Sequence, residues 1–447
     1  MNDIPYKRPN TLIYAANDKV PFFQSITLAL QYVGTATAFL ILPVIIAQQA
    51  GASPNIAANF VSITMILVAV SGILQAIRKG PIGSGMLAPA TPNPAYLAAS
   101  LLAVGEGGLA LLAGMTIFAG IVEACISPLI RRMRHLFPPE IGALVIAMIG
   151  FELGAMGIKD IIEPDVTNTI INVSESARIM LGLAPLALMF VLYLWGRGRL
   201  RIFALLISMM LSYLFILLLG LLNPSHLYNI ANAPWFFIPH IAPAGYSFSQ
   251  KLMIPFLVTA LVCTLKVTGS LTALQKMQND QWSRPDMKNI SRGIYADSAT
   301  TLAAGLLGNM GLNMSSSCMA LSVTTGISSR YIIYPFAFFF IALAFCPKVS
   351  LIVLYMPRPV IAATLIYLGT ALLINSTATL APLVQSTKQR YVIGVGFMFG
   401  FSYQIYPAFY SKLPHALHSF TGSALAVATV IALLFNLLLT LKLKKKS

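Results

Sequence analysis

The sequence predicts an all-α polytopic membrane protein with fourteen transmembrane elements arranged as two inverted repeats of seven. Three observations carry that prediction. Charged side chains make up 9% of the 447 residues, where soluble domains average about 25%. Twelve stretches are apolar over roughly the 20 residues that a spanning helix needs. Two further stretches are apolar but interrupted, at corresponding places in the two halves of the chain. With 57% hydrophobic residues and a mean hydropathy of +0.80, a water-soluble fold would leave large apolar patches facing water, so the bilayer is the natural solvent.

In order, the apolar spans cover 24–48, 56–77, 107–128, 138–157, 178–196, 201–222, 250–274, 292–309, 331–347, 357–376, 390–409 and 420–441. The interrupted pair covers 82–104, with Gly83, Gly85, Pro89, Pro92 and Pro94, and 310–329, with Gly311, Asn313 and the run Ser315–Ser317. Irregular backbone at membrane depth is tolerated only where it lines a cavity or is buried in protein, so these are expected to be half-unwound elements three and ten. The first 20 residues are polar and lead into a full-length span, so no cleavable signal peptide is expected. Bases outnumber acids 29 to 13, but they sit in blocks between spans, such as Arg131, Arg132 and Arg134. That pattern signals topology, not nucleic acid. With both termini in the cytoplasm, 22 bases face inward, six face outward and Lys266 alone lies inside the membrane. The Lys442–Lys446 run reads as a cytoplasmic anchor.

Cys125, Cys263, Cys318 and Cys346 lie in apolar segments with no ligand spacing, and His135, His226, His240, His415 and His418 do not cluster, so neither metal nor cofactor is expected. No phosphate loop or serine elbow is present, which argues against an enzyme or an ATP-driven pump. No ring of like charges marks a channel pore.

Pro138–Gly150 and Pro357–Gly369 resemble each other, with Pro and Gly twelve residues apart in both at an offset of 219, and the interrupted elements repeat at an offset near 229. Seven is odd, so the halves must run in opposite directions across the membrane. Inverted repeats with paired broken helices point to a secondary transporter with its site at the midplane. Half-helix N-termini there favour anionic or oxygen-rich ligands. Small residues at Ser84, Gly85 and Ala88 and at Ser315–Ser317 leave room for a flat ligand to approach the backbone.

These residues resemble the nucleobase/ascorbate transporter family, which includes uracil, xanthine and urate permeases, over about residues 24–440. Gln31-Tyr32 is similar to the family's Gln-His pair, with Tyr32 replacing His. Gly83-Ser84-Gly85-Met86 resembles the start of its third element, with Met86 where an aromatic is usual. Trp235–Pro239, Ala296-Asp297 and Thr325–Arg330 also match. The family's Glu-x-x-Gly-Asp in element eight reads Lys266-Val-Thr-Gly269-Ser270 here, and Ser317-Cys318 stands where the tenth element carries its second acid. Both substrate-facing acids are therefore missing.

The resemblance implies a core (1–136 and 250–349, elements one to four and eight to eleven), a gate (137–249 and 350–447), elevator-like movement of one against the other, and a homodimer joined through the gates. It implies a small-molecule substrate gripped by Lys266, Gln31, Tyr32, Ser84, Met86, Leu87, Ala88, Gly269, Ser270, Ser316, Ser317 and Cys318. A negatively charged planar purine such as urate or xanthine is expected ahead of uracil. A sulfate-permease-type anion carrier on the same scaffold is the alternative, although the soluble C-terminal domain usual there is not expected after a last span that ends six residues from the end. Three readings of Lys266 stay open: it pairs with an anionic substrate, it forms an internal salt bridge to Glu123, Glu152 or Asp297 or snorkels to the cytoplasm, or it titrates itself. Glu123, Glu152 and Asp297 are read as coupling or structural charges, Glu152 on a gate helix and Asp297 as a brace for the binding helices. A co-transported proton or sodium ion, or no coupling at all, is compatible with these residues.

Overall fold

The computed structural model describes residues 7–10, 12–133, 139–162, 174–197, 199–240, 245–282, 284–383, 386–411 and 424–444. His135, His415, His418, Arg134, Pro138 and the end of the lysine run lie outside the described residues.

The first span is α1 (Phe22–Thr37), a 3-10 turn at Ala38–Leu40, and α2 (Ile41–Gln49). The tighter turn falls just before Pro43, whose missing N–H cannot bond the preceding turn. Pro54 opens α3 (Pro54–Ala76) at the position where a missing N–H costs nothing. The chain then runs without helix through Gly80, Gly83 and Gly85, all at positive φ, into a short strand β1 (Ala90–Pro92). The third element is thus unwound from 77 to 93 and becomes helical only at Pro94, later than its apolar stretch suggests.

Helix α4 (Pro94–Met133) is two limbs broken at Gly107 and Gly108, where Gly108 has φ 65° and ψ −160°. The Tyr96 hydroxyl donates to Glu123 at 2.6 Å. A straight helix would hold those residues about 40 Å apart, so the limbs fold back as a hairpin, and these limbs are the expected elements three and four. Next come α5 (Pro139–Ile162) and α6 (Glu175–Leu194). The seventh element divides into α7 (Arg199–Ile202) and α8 (Ala204–Leu218) around Phe203.

A short helix α9 (Pro224–Asn232) was not expected, and the Trp235–Pro239 segment after it is extended. Phe236 stacks on Phe345 at 5.6 Å there. The second half repeats the plan with α10 (Gln250–Gln278), α11 (Met287–Leu306), strand β2 (Leu312–Met314) and α12 (Ser316–Thr325). Helix α11 begins earlier than its apolar stretch because Asp286 accepts from the Lys288 and Asn289 N–H groups. The eleventh element is α13 (Ile333–Ala344), and Pro347 starts a further unexpected helix, α14 (Pro347–Leu354), bent 80° from it. The chain closes with α15 (Arg358–Leu383), α16 (Thr387–Ile405), α17 (Pro407–Ser411) and α18 (Ala424–Lys444).

Among the described residues seven helices are long and apolar enough to cross a membrane unaided. The remaining crossings are made of shorter or broken pieces, in keeping with seven-plus-seven architecture. Antiparallel β1 and β2 pair Thr91 with Asn313, flanked by Ala90 with Met314 and Pro92 with Leu312. That register fixes the repeat offset at 222 here, against the 229 expected from the apolar stretches. The motif glycines meet as well: a Cβ on Gly150 would stand 2.7 Å from the Gly369 carbonyl oxygen, and one on Gly369 would stand 2.5 Å from that of Gly150. Equivalent residues therefore face each other at two separate places, as a pseudo-two-fold axis in the membrane plane requires.

Helices α10, α11 and both limbs of α4 pack together, α3 packs on α13 and α14, and α5 packs on α15, α6 and α18. Ahead of the first span, residues 7–10 and 12–19 form a strap. Tyr14 N and Ile13 N donate to Gly326 O, Ser328 N donates to Tyr14 O, and Arg330 N donates to Ala16 O. Asp280 N donates to Lys7 O, and Gln278 accepts from Ala16 N. The strap thus ties down the ends of α10 and α12.

Candidate substrate-binding site

The β1–β2 ladder puts the starts of two helices back to back. Asn93 Oδ1 accepts from Ala95 N at 2.9 Å and caps the first limb of α4. The Ser315 hydroxyl accepts from Cys318 N and caps α12. Asn93 Nδ2 also donates to Asn313 Oδ1 at 3.0 Å, which joins the two starts across the pseudo-axis. Asn313 Nδ2 donates to Asp297 Oδ2, and Met314 N donates to Asp297 Oδ1 at 3.0 Å. Asp297 on α11 is therefore the acceptor that fixes β2, and both of its oxygens are engaged in doing so. Asn93 was not singled out from the sequence, and Asn313 and Ser315 were read as a break and as small residues, not as caps. The available signal was their position: each is a short polar residue beside a break, where such side chains cap helices.

Around α12 several of the expected residues gather. The Tyr32 hydroxyl, buried on α1, lies 2.7 Å from Ser322 Oγ, so this tyrosine bridges α1 to α12. Gln31 and the hydroxyls of Ser316 and Ser317 are half-buried and make no side-chain hydrogen bond among the described residues. The Ser316 and Ser317 N–H groups at the head of α12 are likewise without a bonding partner there. Met86 and Ala88 pack with Val267, Leu271, Met314 and Met319, which brings the unwound third element against α10 just beyond Lys266. Gly269 is exposed, with no atom within 4 Å of where a Cβ would stand, and Ser270 beside it is buried. Cys318 is fully buried.

Lys266 is half-buried on α10. Among the described residues it forms no ion pair with Glu123, Glu152 or Asp297, nor any hydrogen bond. Its charge and that of Asp297 are close enough to interact electrostatically. An ammonium at this depth needs hydration or a counter-charge, and no described residue bonds it directly.

Two expected residues stand apart. Ser84 donates to Gln75 Oε1 at 2.9 Å, and its carbonyl accepts from Asn289 Nδ2. It is part of the turn that seals α3 against the start of α11, because Gly83 and Gly85 at positive φ send the chain back along α3 first. Leu87 is fully buried in a different apolar cluster from Met86 and Ala88, since successive residues of an extended chain point opposite ways. Glu152 lies away from the helix starts in a crevice of about 380 Å³ between α4 and the helices α5, α16 and α18. Lys159, Tyr403 and Gln404 also line it, and it reaches Pro94, the first residue of the α4 half-helix.

Broken helices that start back to back within a seven-plus-seven repeat define a multi-pass membrane transporter. A family model described as the Permease family (Xan_ur_permease) matches residues 23–409. The chain belongs to that family, the xanthine, uracil and urate permeases. It is 22% identical over 429 residues to a putative purine permease of Clostridium perfringens, covering 96% of this chain and 93% of that protein. It is 23% identical over 439 residues to the xanthine permease XanP of Escherichia coli K12 (96% and 94% covered) and 23% identical over 406 residues to the uric acid transporter UacT of the same strain (88% and 81%). Among solved structures it resembles the transmembrane domain of the cyanobacterial bicarbonate transporter BicA, with TM-score 0.57 and 11% identity over 94% of this chain and 99% of that one. It also resembles the murine anion transporter Slc26a9 in its inward-facing state, with TM-score 0.63 and 10% identity over 95% and 69%.

Proposed function

We propose that the chain is a secondary transporter for an anionic purine-type ring, urate or xanthine, moved by displacement of a core (1–136 and 250–349) against a gate (137–249 and 350–447). Residues of the core hold the ring and the gate closes over it. The observation that carries this reading is Lys266: a half-buried ammonium with no ion pair or hydrogen bond among the described residues, in a site where the free N–H groups at the start of α12 also favour negative charge. Gln31, Ser316 and Ser317 supply uncommitted polar groups for the ring's edge. Met86 and Ala88 supply an apolar wall. The names of the relatives, which are purine, xanthine and uric acid permeases, support a purine over a smaller anion. In this reading both termini face the cytoplasm and two copies join through their gates.

The test is uptake of labelled urate by purified protein in liposomes, competed with unlabelled xanthine, uracil, ascorbate, sulfate and bicarbonate. Competition by planar purines and not by sulfate or bicarbonate is the expected result. The same Lys266 would suit a small inorganic anion, so inhibition by sulfate or bicarbonate alone overturns the purine assignment and makes this an anion carrier on a permease scaffold.

A further inference from the structure

Glu123 takes no part in the substrate-binding set, yet it is the least expected charge in the molecule. It is 1% exposed, on the second limb of α4. Its Oε1 accepts the Tyr96 hydroxyl at 2.6 Å, and its Oε2 has no hydrogen-bond partner among the described residues. A buried carboxylate with one bare oxygen is costly, whereas a carboxylic acid carries its own hydrogen at that position. Two more hydroxyls in the same hairpin are buried without partners: Ser100 Oγ, one turn from Tyr96, and Thr116 Oγ1, two turns from Glu123. On the second limb Thr116, Gly120, Glu123 and Ser127 recur on one face, and Ser127 bonds Ser291 of α11. This face of the second limb meets Tyr96 of the first limb at Glu123 and α11 at Gly120 and Ser127.

The ionisable groups that face Glu123 are Tyr96 on the first limb, Asp297 on α11 and Cys263 on α10, and beyond them Lys266 on α10 senses Asp297 and Cys263. With Glu123 ionised, two acids oppose one ammonium. With Glu123 protonated, Asp297 and Lys266 balance. Asp297 is bonded to Met314 N and Asn313, and Tyr96 lies in the first turn of the α4 half-helix, so the charge on Glu123 is felt at both helix starts.

We propose that Glu123 is the proton-carrying site of the transporter, replacing the substrate-facing acids that this chain lacks. This rests on the anion-transport reading above. The carboxylate takes one proton from water on one side, forming the Oε2–H bond. That removes a negative charge next to the anion site and strengthens anion binding, and the proton returns to water on the other side. No electrons are exchanged. By reciprocity, bound anion strengthens proton binding, which makes the transport proton–anion symport.

The experiment uses the full chain in liposomes with an interior pH dye, measuring urate counterflow at equal pH, urate accumulation driven by an imposed pH gradient, and substrate-dependent proton entry. Wild type is expected to do all three. Glu123→Gln, a permanent mimic of the acid, should keep counterflow within about threefold while losing gradient-driven accumulation and proton entry. Proton entry retained in Glu123→Gln overturns the proposal, as does wild-type counterflow without proton entry. If Glu123→Gln does not fold, Tyr96→Phe decides. Loss of the hydrogen bond that favours the carboxylate should move the half-maximal pH of coupled uptake upward by about one unit, and an unchanged profile refutes the idea. A wild type that fails to exchange urate or xanthine sinks the purine reading instead. The three measurements are then made with whichever of sulfate or bicarbonate exchanges.

Discussion

At the residue scale the site separates groups that are bonded from groups that are available. Asp297 spends both oxygens on Asn313 and Met314, so Asp297→Ala leaves two buried donors unpaired, each costing about 1–3 kcal/mol. We expect it to lower the melting temperature in detergent and abolish uptake, whereas a residue that only bound substrate would leave the melting temperature unchanged. Lys266 has no such structural duty. Lys266→Ala should fold and insert normally but lose about 1–3 kcal/mol of affinity for an anionic substrate, a rise of roughly five- to 160-fold in the apparent KM of uptake. Unchanged uptake by correctly inserted Lys266→Ala would sink the anion reading. Lys266 and Asp297 were legible in the sequence because an ionisable residue in an apolar stretch needs a reason. Asn93 and Asn313 were not, since an asparagine near a proline or glycine break looks like any turn residue until the strand register brings the two together.

At the scale of elements, the paired breaks were readable as glycine and proline punctuation, but their extent was not. The third element's helix starts at Pro94 because Gly83 and Gly85 first turn the chain back along α3, where Gly83 N bonds Arg292 O and Gly85 N bonds Gln75 O. A hydropathy window sees apolar residues and not where their N–H groups go. The small helices α9 and α14 escaped for the same reason, since each is too short to show a period. Asn93→Ala removes both a helix cap and the link to Asn313, so it should destabilise by about 1–2 kcal/mol, read as earlier thermal aggregation, and should weaken substrate binding. At the contact of α5 with α15, Gly150→Ala forces a methyl into the Gly369 carbonyl. A loss of about 1–3 kcal/mol is expected. Because both changes push the same two backbones apart, the Gly150→Ala, Gly369→Ala double variant should cost less than the sum of the singles.

For the whole molecule, the inverted repeat was legible because Pro138–Gly150 recurs at 357–369, and the structure adds that the copies touch at their own equivalent positions. In the proposed movement of a core against a gate, the crevice between α4 and α5 would be the seam. Leu97 and Leu153 line it from opposite sides. In a background with the native cysteines replaced, paired cysteines at these positions, once cross-linked, should stop uptake, and reduction should restore it. Uptake that continues at full rate with the bridge closed would rule out relative movement there. The strap of residues 7–10 and 12–19 has a practical consequence for watching such movement. It is hydrogen-bonded to the ends of α10 and α12, and Ile13 within it is 59% exposed. If α10 and α12 move as proposed, a spin label at Ile13 would travel with them while a second at Met398 on α16 stays behind. The distance between them becomes a molecular ruler for the stroke itself, in which carrier and channel leave different traces: two populations of separation for the first, one for the second.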